Sequence, residues 1–242
     1  MLLEFKGYGR RRGVLPFDLT IHKGEVVGVA GLLGSGRTEM ARIMFGADPA
    51  DQGTLSVNGK PTAIRKTTDA IKHGIETIYQ DSALVTQLSI ARNLFLGREP
   101  VKGPKFLNRL DQDAMNAAAS ALLKQVGIRK DIPPTTPIGS LSGGERQAVA
   151  IARAMHFDSD LIVLDEPTNN LGVAETQVVL RFVRNARDSG HSCIFIAHNI
   201  HHVFQVVDRI VIMRRGAIVA DDIDPKKTSI EQVEKMITGM DD

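Results

Sequence analysis

Hydrophobic positions along the chain fall into two registers. Short runs rich in apolar and β-branched residues occur at 25–30, where the run is apolar on both faces, and at 74–79, 161–164, 193–197, 209–213 and 217–220. Runs of that kind predict strands buried in a parallel sheet. Elsewhere the apolar residues return at helical spacing. Met40, Ile43 and Met44 do so ahead of Gly46, a helix C-cap, and the stretches 174–188 and 202–207 follow the same period. Asp51-Gln52-Gly53 and Asn58-Gly59 bracket 54–57 as one strand of a hairpin. Strands alternating with helices predict an α/β fold whose parallel sheet is covered on both faces.

Between 84 and 154 the pattern changes. β-branched runs cease, an alanine-rich helical repeat covers 113–126, and Pro133, Pro134 and Pro137 break the chain. This stretch reads as a helical insertion. The expected organisation is therefore a core of 1–83 and 155–242 with an inserted helical subdomain at 84–154.

Composition narrows the function classes only modestly. With 242 residues, 43% hydrophobic and 24% charged, the chain can bury a sizeable core. A net charge of +2 gives no reason to expect a nucleic-acid partner, and Arg10-Arg11-Arg12 reads as a solvated turn. Cys193, the single cysteine, falls in an apolar strand, so no internal disulfide can form and a reducing compartment fits. No run approaches the ~18 apolar residues of a membrane span, and Met1 opens no signal peptide. Any membrane role is expected to come through a partner.

The candidate chemistry lies where strands end. Gly31-Leu32-Leu33-Gly34-Ser35-Gly36-Arg37-Thr38-Glu39 follows the strand at 25–30 and opens a helix. Its glycines let backbone N–H groups converge on a phosphate, and the helix adds its positive end. Thr38 supplies a hydroxyl for Mg²⁺ between phosphates. Arg37 keeps the charge of the lysine usual in such a loop but not its compact shape, so binding should survive more readily than hydrolysis. Asp165 closes a strand at the carboxyl edge of the sheet, where it can hold the magnesium shell, and Glu166 is the candidate general base. Gln80 and His198 also follow strands, the first placed to touch metal and water, the second to contact the γ-phosphate. His198, His201 and His202 share helical spacing, but no nearby cysteine supports a zinc site. Ser142-Gly143-Gly144, ahead of a helix, makes a second anion cradle. One triphosphate has no use for two cradles in one chain. Each chain should therefore offer its second cradle to the nucleotide of a partner, in a head-to-tail dimer closed by ATP.

These motifs resemble, in order, those of the nucleotide-binding subunits of ABC transporters: residues 31–38, Gln80, 141–147, 161–166 and His198. The resemblance covers nearly the whole chain. Residues 28–39 look like the second cassette of bacterial monosaccharide importers, whereas 77–81, 93–98 and 198–204 look like single-cassette importers of the fructose type. The resemblance implies a RecA-like P-loop NTPase core, an antiparallel β subdomain and an inserted α-helical subdomain. It implies an ATPase using ATP and Mg²⁺ that drives import of a monosaccharide. The implied partners are a second cassette, identical or different, an integral membrane permease, and indirectly a periplasmic sugar-binding protein. The implied location is cytoplasmic, on the inner face of the membrane. A degenerate regulatory cassette with little hydrolysis is the alternative, resting on Arg37. Gly172 stands where the family usually has aspartate, and Glu145 where it has glutamine. The family's adenine-stacking aromatic is assigned to Tyr8, with Phe5 as second choice, and 84–96 to the face met by the permease.

Overall fold

The computed structural model describes residues 1–78, 84–104, 109–126, 132–157 and 159–239. In chain order it runs β1 (Leu3–Gly9), β2 (Phe17–Ile21), β3 (Val26–Ala30), α1 (Arg37–Met44), β4 (Gln52–Val57), β5 (Lys60–Thr62), α2 (Thr67–Lys72) and β6 (Ile75–Ile78). There follow α3 (Ile90–Leu94), β7 (Val101–Lys102), β8 (Arg109–Leu110), α4 (Gln112–Gln125) and α5 (Gly143–His156). The chain closes with β9 (Leu161–Asp165), α6 (Val173–Asp188), β10 (Ser192–Ile196), α7 (Ile200–Phe204), β11 (Arg209–Arg214), β12 (Ala217–Ile223) and α8 (Ile230–Thr238).

Contacts group these elements into two compact units. The first comprises 1–79, 159–167 and 183–242. Its main sheet has the order β12-β11-β3-β10-β9-β6, parallel throughout except for β12 at one edge. β3, β9 and β10 are buried at every position, which is why their sequences lack a polar face. Register matters for the chemistry. Ile196 pairs with Val29 on one side and Asp165 on the other, so β3, β10 and β9 end level with one another. The segments leaving those three strands therefore emerge at one carboxyl edge, where α/β proteins place their ligands.

A second sheet in the same unit, β2-β1-β4-β5, is antiparallel. Asn58 and Gly59, both at positive φ, make its tight β4–β5 turn. Phe5, Tyr8 and Phe17 from this sheet share one hydrophobic cluster with Val29, Ile196, Met40 and Ile43. Gly28 is where α7 closes on the main sheet: a Cβ there would lie 2.6 Å from Val203 Cγ1 and 2.9 Å from Val207 Cγ1.

The second unit comprises 80–158 and 168–182. α3, α4 and α5 pack around Ile90, Leu94, Met115, Leu123 and Val149. Asn93 is fully buried there, and its amide ties down the preceding loop. Its Nδ2 donates to Val85 O, Leu88 O and Ser89 O at 3.0, 3.2 and 3.0 Å, while its Oδ1 accepts from Val85 N at 2.7 Å. Of the apolar residues expected on an outward face in 84–96, Ile90 and Phe95 belong to this core, whereas Val85 is exposed. Among the described residues no helix is long and apolar enough to cross a membrane.

Candidate functional site

The glycine loop follows β3 directly, and close packing explains its residues. A Cβ on Gly31 would come within 2.4 Å of the Met213 carbonyl oxygen. Gly36 takes φ 100°, closed to most side chains, as the N-cap of α1. The loop is held from behind by Gly216, whose N–H donates to Ser35 O at 2.8 Å, and by its own Ser35 N–H to Leu32 O bond of 3.0 Å. The amides of Leu33, Gly34 and Gly36 meet no acceptor among the described residues. Ser35 Oγ is buried with no hydrogen-bond partner among the described residues. Leu33 is 99% exposed at the tip and Leu32 about half so, while Glu39 faces solvent.

Thr38 and Asp165, from α1 and β9, are brought together: the threonine hydroxyl donates to Asp165 Oδ1 at 3.4 Å. Burial, and then the charge of Glu166 beside it, pushes the Asp165 carboxyl up to about 6. Glu166 leaves the strand at φ 49°, an unusual backbone for a glutamate, and its N–H donates to Ile196 O at 2.9 Å. That turn directs its carboxylate at two partners. Oε2 lies 2.7 Å from His198 Nδ1 and also accepts from the His198 N–H at 3.3 Å. Oε1 lies 3.1 Å from Arg37 Nη2.

Arg37 is thereby accounted for in a way its sequence position did not suggest. Its side chain is 6% exposed; besides Glu166 it donates from Nη1 to Ala197 O at 2.9 Å. It therefore turns back onto the strand ends. Burial pulls its pKa down, opposed by the carboxylates of Glu166 and Asp165. His198 is exposed, and among the described residues no cluster of histidine, cysteine or acidic side chains could hold a metal ion by itself.

Ser142, Gly143 and Gly144 lie in the second unit. Ser142 is the N-cap of α5, and a reciprocal capping box consumes its polar groups. Glu145 N donates to Ser142 Oγ at 3.3 Å, and Ser142 N to Glu145 Oε2 at 2.8 Å. The Ser-x-x-Glu spacing was visible in the sequence, where Glu145 counted only as a departure. Gly143 stands in open space, whereas a Cβ on Gly144 would lie 2.1 Å from Glu175 Cγ. Gly172 serves as the start of α6, its carbonyl accepting from Thr176 N at 3.0 Å.

Two expectations about the edges of the site change. Tyr8 is 5% exposed and packs against Phe5 and Phe17 with centroids 5.2 and 6.3 Å away, its burial raising the phenol pKa. It offers no face to a base, and Phe5, 1% exposed, offers less. The Arg10–Arg12 turn is solvated as expected, with Arg11 and Arg12 exposed, but it also lines, with Val14, Leu15, Pro16 and Arg215, a cavity of about 350 Å³. Leu15, one of its walls, donates its N–H to Gly216 O at 2.8 Å, and Gly216 in turn donates to Ser35 O of the glycine loop at 2.8 Å. Nothing in the sequence signalled the pairing of this turn with Arg215. Gln80 lies outside the described residues.

Comparison with known proteins identifies the family. Residues 14–169 match the family described as ABC transporter. The fructose import ATP-binding protein FrcA of Rhizobium meliloti is 39% identical, over 97% of this chain and 91% of that protein. The xylose/arabinose import ATP-binding protein XylG of Sulfolobus acidocaldarius is 38% identical, with 97% and 91% covered. A putative ribose/galactose/methyl galactoside import ATP-binding protein of Burkholderia ambifaria is 34% identical over 98% of this chain, which spans only 46% of that longer protein. Among solved structures, the ATP-binding cassette MJ1267 aligns with TM-score 0.83, covering 100% of this chain and 98% of that one at 20% identity. The MJ0796 cassette dimer bound to ADP and Pi aligns with TM-score 0.77, covering 91% and 97%, also at 20% identity. With its glycine loop, Thr38–Asp165 pair and Glu166–His198 pair at one sheet edge, the chain has the α/β P-loop NTPase fold and belongs to the ABC transporter family.

Proposed function

We propose that this chain is the ATP-binding and ATP-hydrolysing subunit of a membrane importer for a monosaccharide. The observation that carries the reading is the contact between Glu166 Oε2 and His198 Nδ1 at 2.7 Å, beside the Thr38–Asp165 pair. A cassette that only bound nucleotide would have no use for an oriented base.

The roles follow from chemistry at each position. The amides of Leu33, Gly34 and Gly36 cradle phosphate oxygens, and the α1 N-terminus adds its dipole. Unpartnered Ser35 Oγ supplies a donor suited to the same oxyanions. Thr38 and Asp165 are oxygen donors of the hard kind that Mg²⁺ takes, and would hold it. When bound, that ion neutralises charge on the phosphates. Glu166 accepts the proton of the attacking water, and His198 holds the Glu166 carboxylate in place and reaches toward the γ-phosphate. Gln80 is assigned to metal and water by its place in the sequence. The nucleoside end falls in the cavity at Arg12, Val14 and Arg215, where guanidinium planes take the stacking role proposed for an aromatic. Ser142, Gly143 and Gly144 serve the nucleotide of a second cassette.

The sugar-import names of relatives aligned over most of this chain support the importer assignment. On this reading the subunit pairs with another cassette on the cytoplasmic face of the membrane, docks to a permease, and receives sugar indirectly from a periplasmic binding protein. A degenerate regulatory cassette draws support from Arg37 and Gly172, and the same relatives do not favour it. Steady-state hydrolysis of MgATP by the purified chain, beside Glu166→Gln, tests the reading: activity lost in the variant supports it, and none in either sinks it. Co-purification with a membrane subunit tests the importer assignment.

A further inference from the structure

Glu166 has no oxygen to spare. Its Oε2 receives the His198 ring and backbone N–H at 2.7 and 3.3 Å, and its Oε1 receives Arg37 Nη2 at 3.1 Å. Arg37 is equally committed, with Nη1 on the Ala197 carbonyl at 2.9 Å. Both side chains are less than a tenth exposed, so water does not screen the pair. The same guanidinium is the cation that the glycine loop carries at the position facing phosphates. Those two contacts hold the plane of the guanidinium on the strand ends, and turning its fork onto a phosphate would give up one or both of them.

We infer that Arg37 is a positioning residue that latches Glu166 in the nucleotide-free chain and is drawn off by the arriving triphosphate. This rests on the nucleotide-binding reading above and deepens it. In the latched state the base is neutralised and Arg37 competes with water for its Oε1. A triphosphate in the loop offers the guanidinium a stronger, multiply charged acceptor. Moving Arg37 to that acceptor frees Oε1 while His198 retains Oε2, so the base becomes available only when phosphate is present. No covalent step is involved. The consequence is that binding must first break a buried ion pair.

Two opposed electrostatic outcomes make this testable. If Arg37 moves to phosphate, Glu166→Gln removes both the pair that must be broken and the repulsion between Glu166 and phosphate. In an Arg37→Met background only the repulsion remains to be relieved. If Arg37 instead stays on Glu166 with nucleotide bound, Glu166 is already neutralised, and Glu166→Gln gains less with the arginine present than in the Arg37→Met background. The experiment is equilibrium binding of the β,γ-imido analogue of ATP with magnesium to four proteins: the parent, each single variant and the double variant. Hydrolysis does not enter the measurement. The expected result is that Glu166→Gln tightens binding more in the parent background, by on the order of tenfold relative to its effect in the Arg37→Met background. Equal gains, or the larger gain without the arginine, overturn the latch. Thermal melts check each variant, and Arg37→Gln, which keeps a neutral donor for Ala197, replaces Arg37→Met should the latter not fold. Failure of the parent to bind the analogue at all sinks the proposed function, whereas binding with reversed coupling sinks the latch alone.

Discussion

Arg37 and Glu166 form a 3.1 Å ion pair in which neither side chain is more than a tenth exposed. Lysine at 37 would carry one point charge in place of a fork, and could not hold Ala197 O and Glu166 Oε1 together as Arg37 does. Once the triphosphate has drawn residue 37 onto itself, a compact ammonium sits among the phosphate oxygens better than a planar fork, so Arg37→Lys should raise kcat for ATP hydrolysis by about 3- to 10-fold, which corresponds to about 1 kcal/mol of barrier. Steady-state phosphate release measures it. An unchanged or lower rate with unchanged affinity would mean that arginine serves as well as lysine.

With Glu166 as the proposed base, held against His198, Glu166→Gln should cut hydrolysis by on the order of 10²- to 10⁴-fold while nucleotide binding persists. Single-turnover assays beside equilibrium binding separate the two effects. Parallel loss of binding and turnover would point to a structural role.

Glu145 closes the capping box on Ser142 at the start of α5. Glu145→Ala should lower stability by about 1 kcal/mol, a Tm shift of roughly 2–4 °C for a chain of this size. Glu145→Gln, which can still accept from Ser142 N, should recover most of the loss. Differential scanning calorimetry reads both variants.

Tyr8 is a core residue whose hydroxyl makes one long contact of 3.5 Å to Ile43 O. Tyr8→Phe should leave nucleotide affinity within about twofold of the parent, since the contact is at the limit of a hydrogen bond. Arg12→Ala combined with Arg215→Ala should weaken it several-fold, because both line the cavity proposed for the nucleoside end. Titration with a fluorescent ATP analogue distinguishes the two assignments.

Asp48 bridges Arg10 and Arg42, and the hydrogen bonds from Arg42 and then Arg10 lower its pKa from 3.8 to about 2. The folded value lies below the unfolded one, so this contribution is complete above about pH 4 and fades as pH falls toward about 2. The side chains are partly exposed, and screening limits the effect to about 1 kcal/mol or less. The urea midpoint of Asp48→Asn should lie below that of the parent at neutral pH, with the gap closing between about pH 4 and pH 2.

Much of the site was legible because it sits where fully apolar strands stop. β3, β9 and β10 each announce their ends by a switch to glycine, acid or histidine, and the equal register of those strands makes the residues after them neighbours. The end of α1 was readable from Gly46, which follows the Phe45 C-cap at positive φ, and the Asn58-Gly59 turn was readable for the same need of positive φ. β1 and β2 were not recovered. Leu3–Gly9 mixes Lys6 and Gly7 into the strand, which obscures the alternation. The Arg37–Glu166 pair was beyond sequence reasoning, since the loop motif suggests the phosphate and gives no sign of a rival acceptor in the same chain. Tyr8 was misassigned for a related reason: spacing can nominate an aromatic, but only packing against Phe5 and Phe17 tells which way it faces.

Cys193, the second residue of β10, has no exposed surface, and burial lifts its thiol to about 12. At neutral pH it is neither ionised nor reachable, so maleimides and spin labels should pass it by. The parent chain is thus a ready-made background for site-directed labelling. A cysteine introduced at fully exposed Leu33, or at Ser229 on the C-terminal helix cap, would be the sole reactive position, and probe motions during the nucleotide cycle could be followed without first deleting a native thiol.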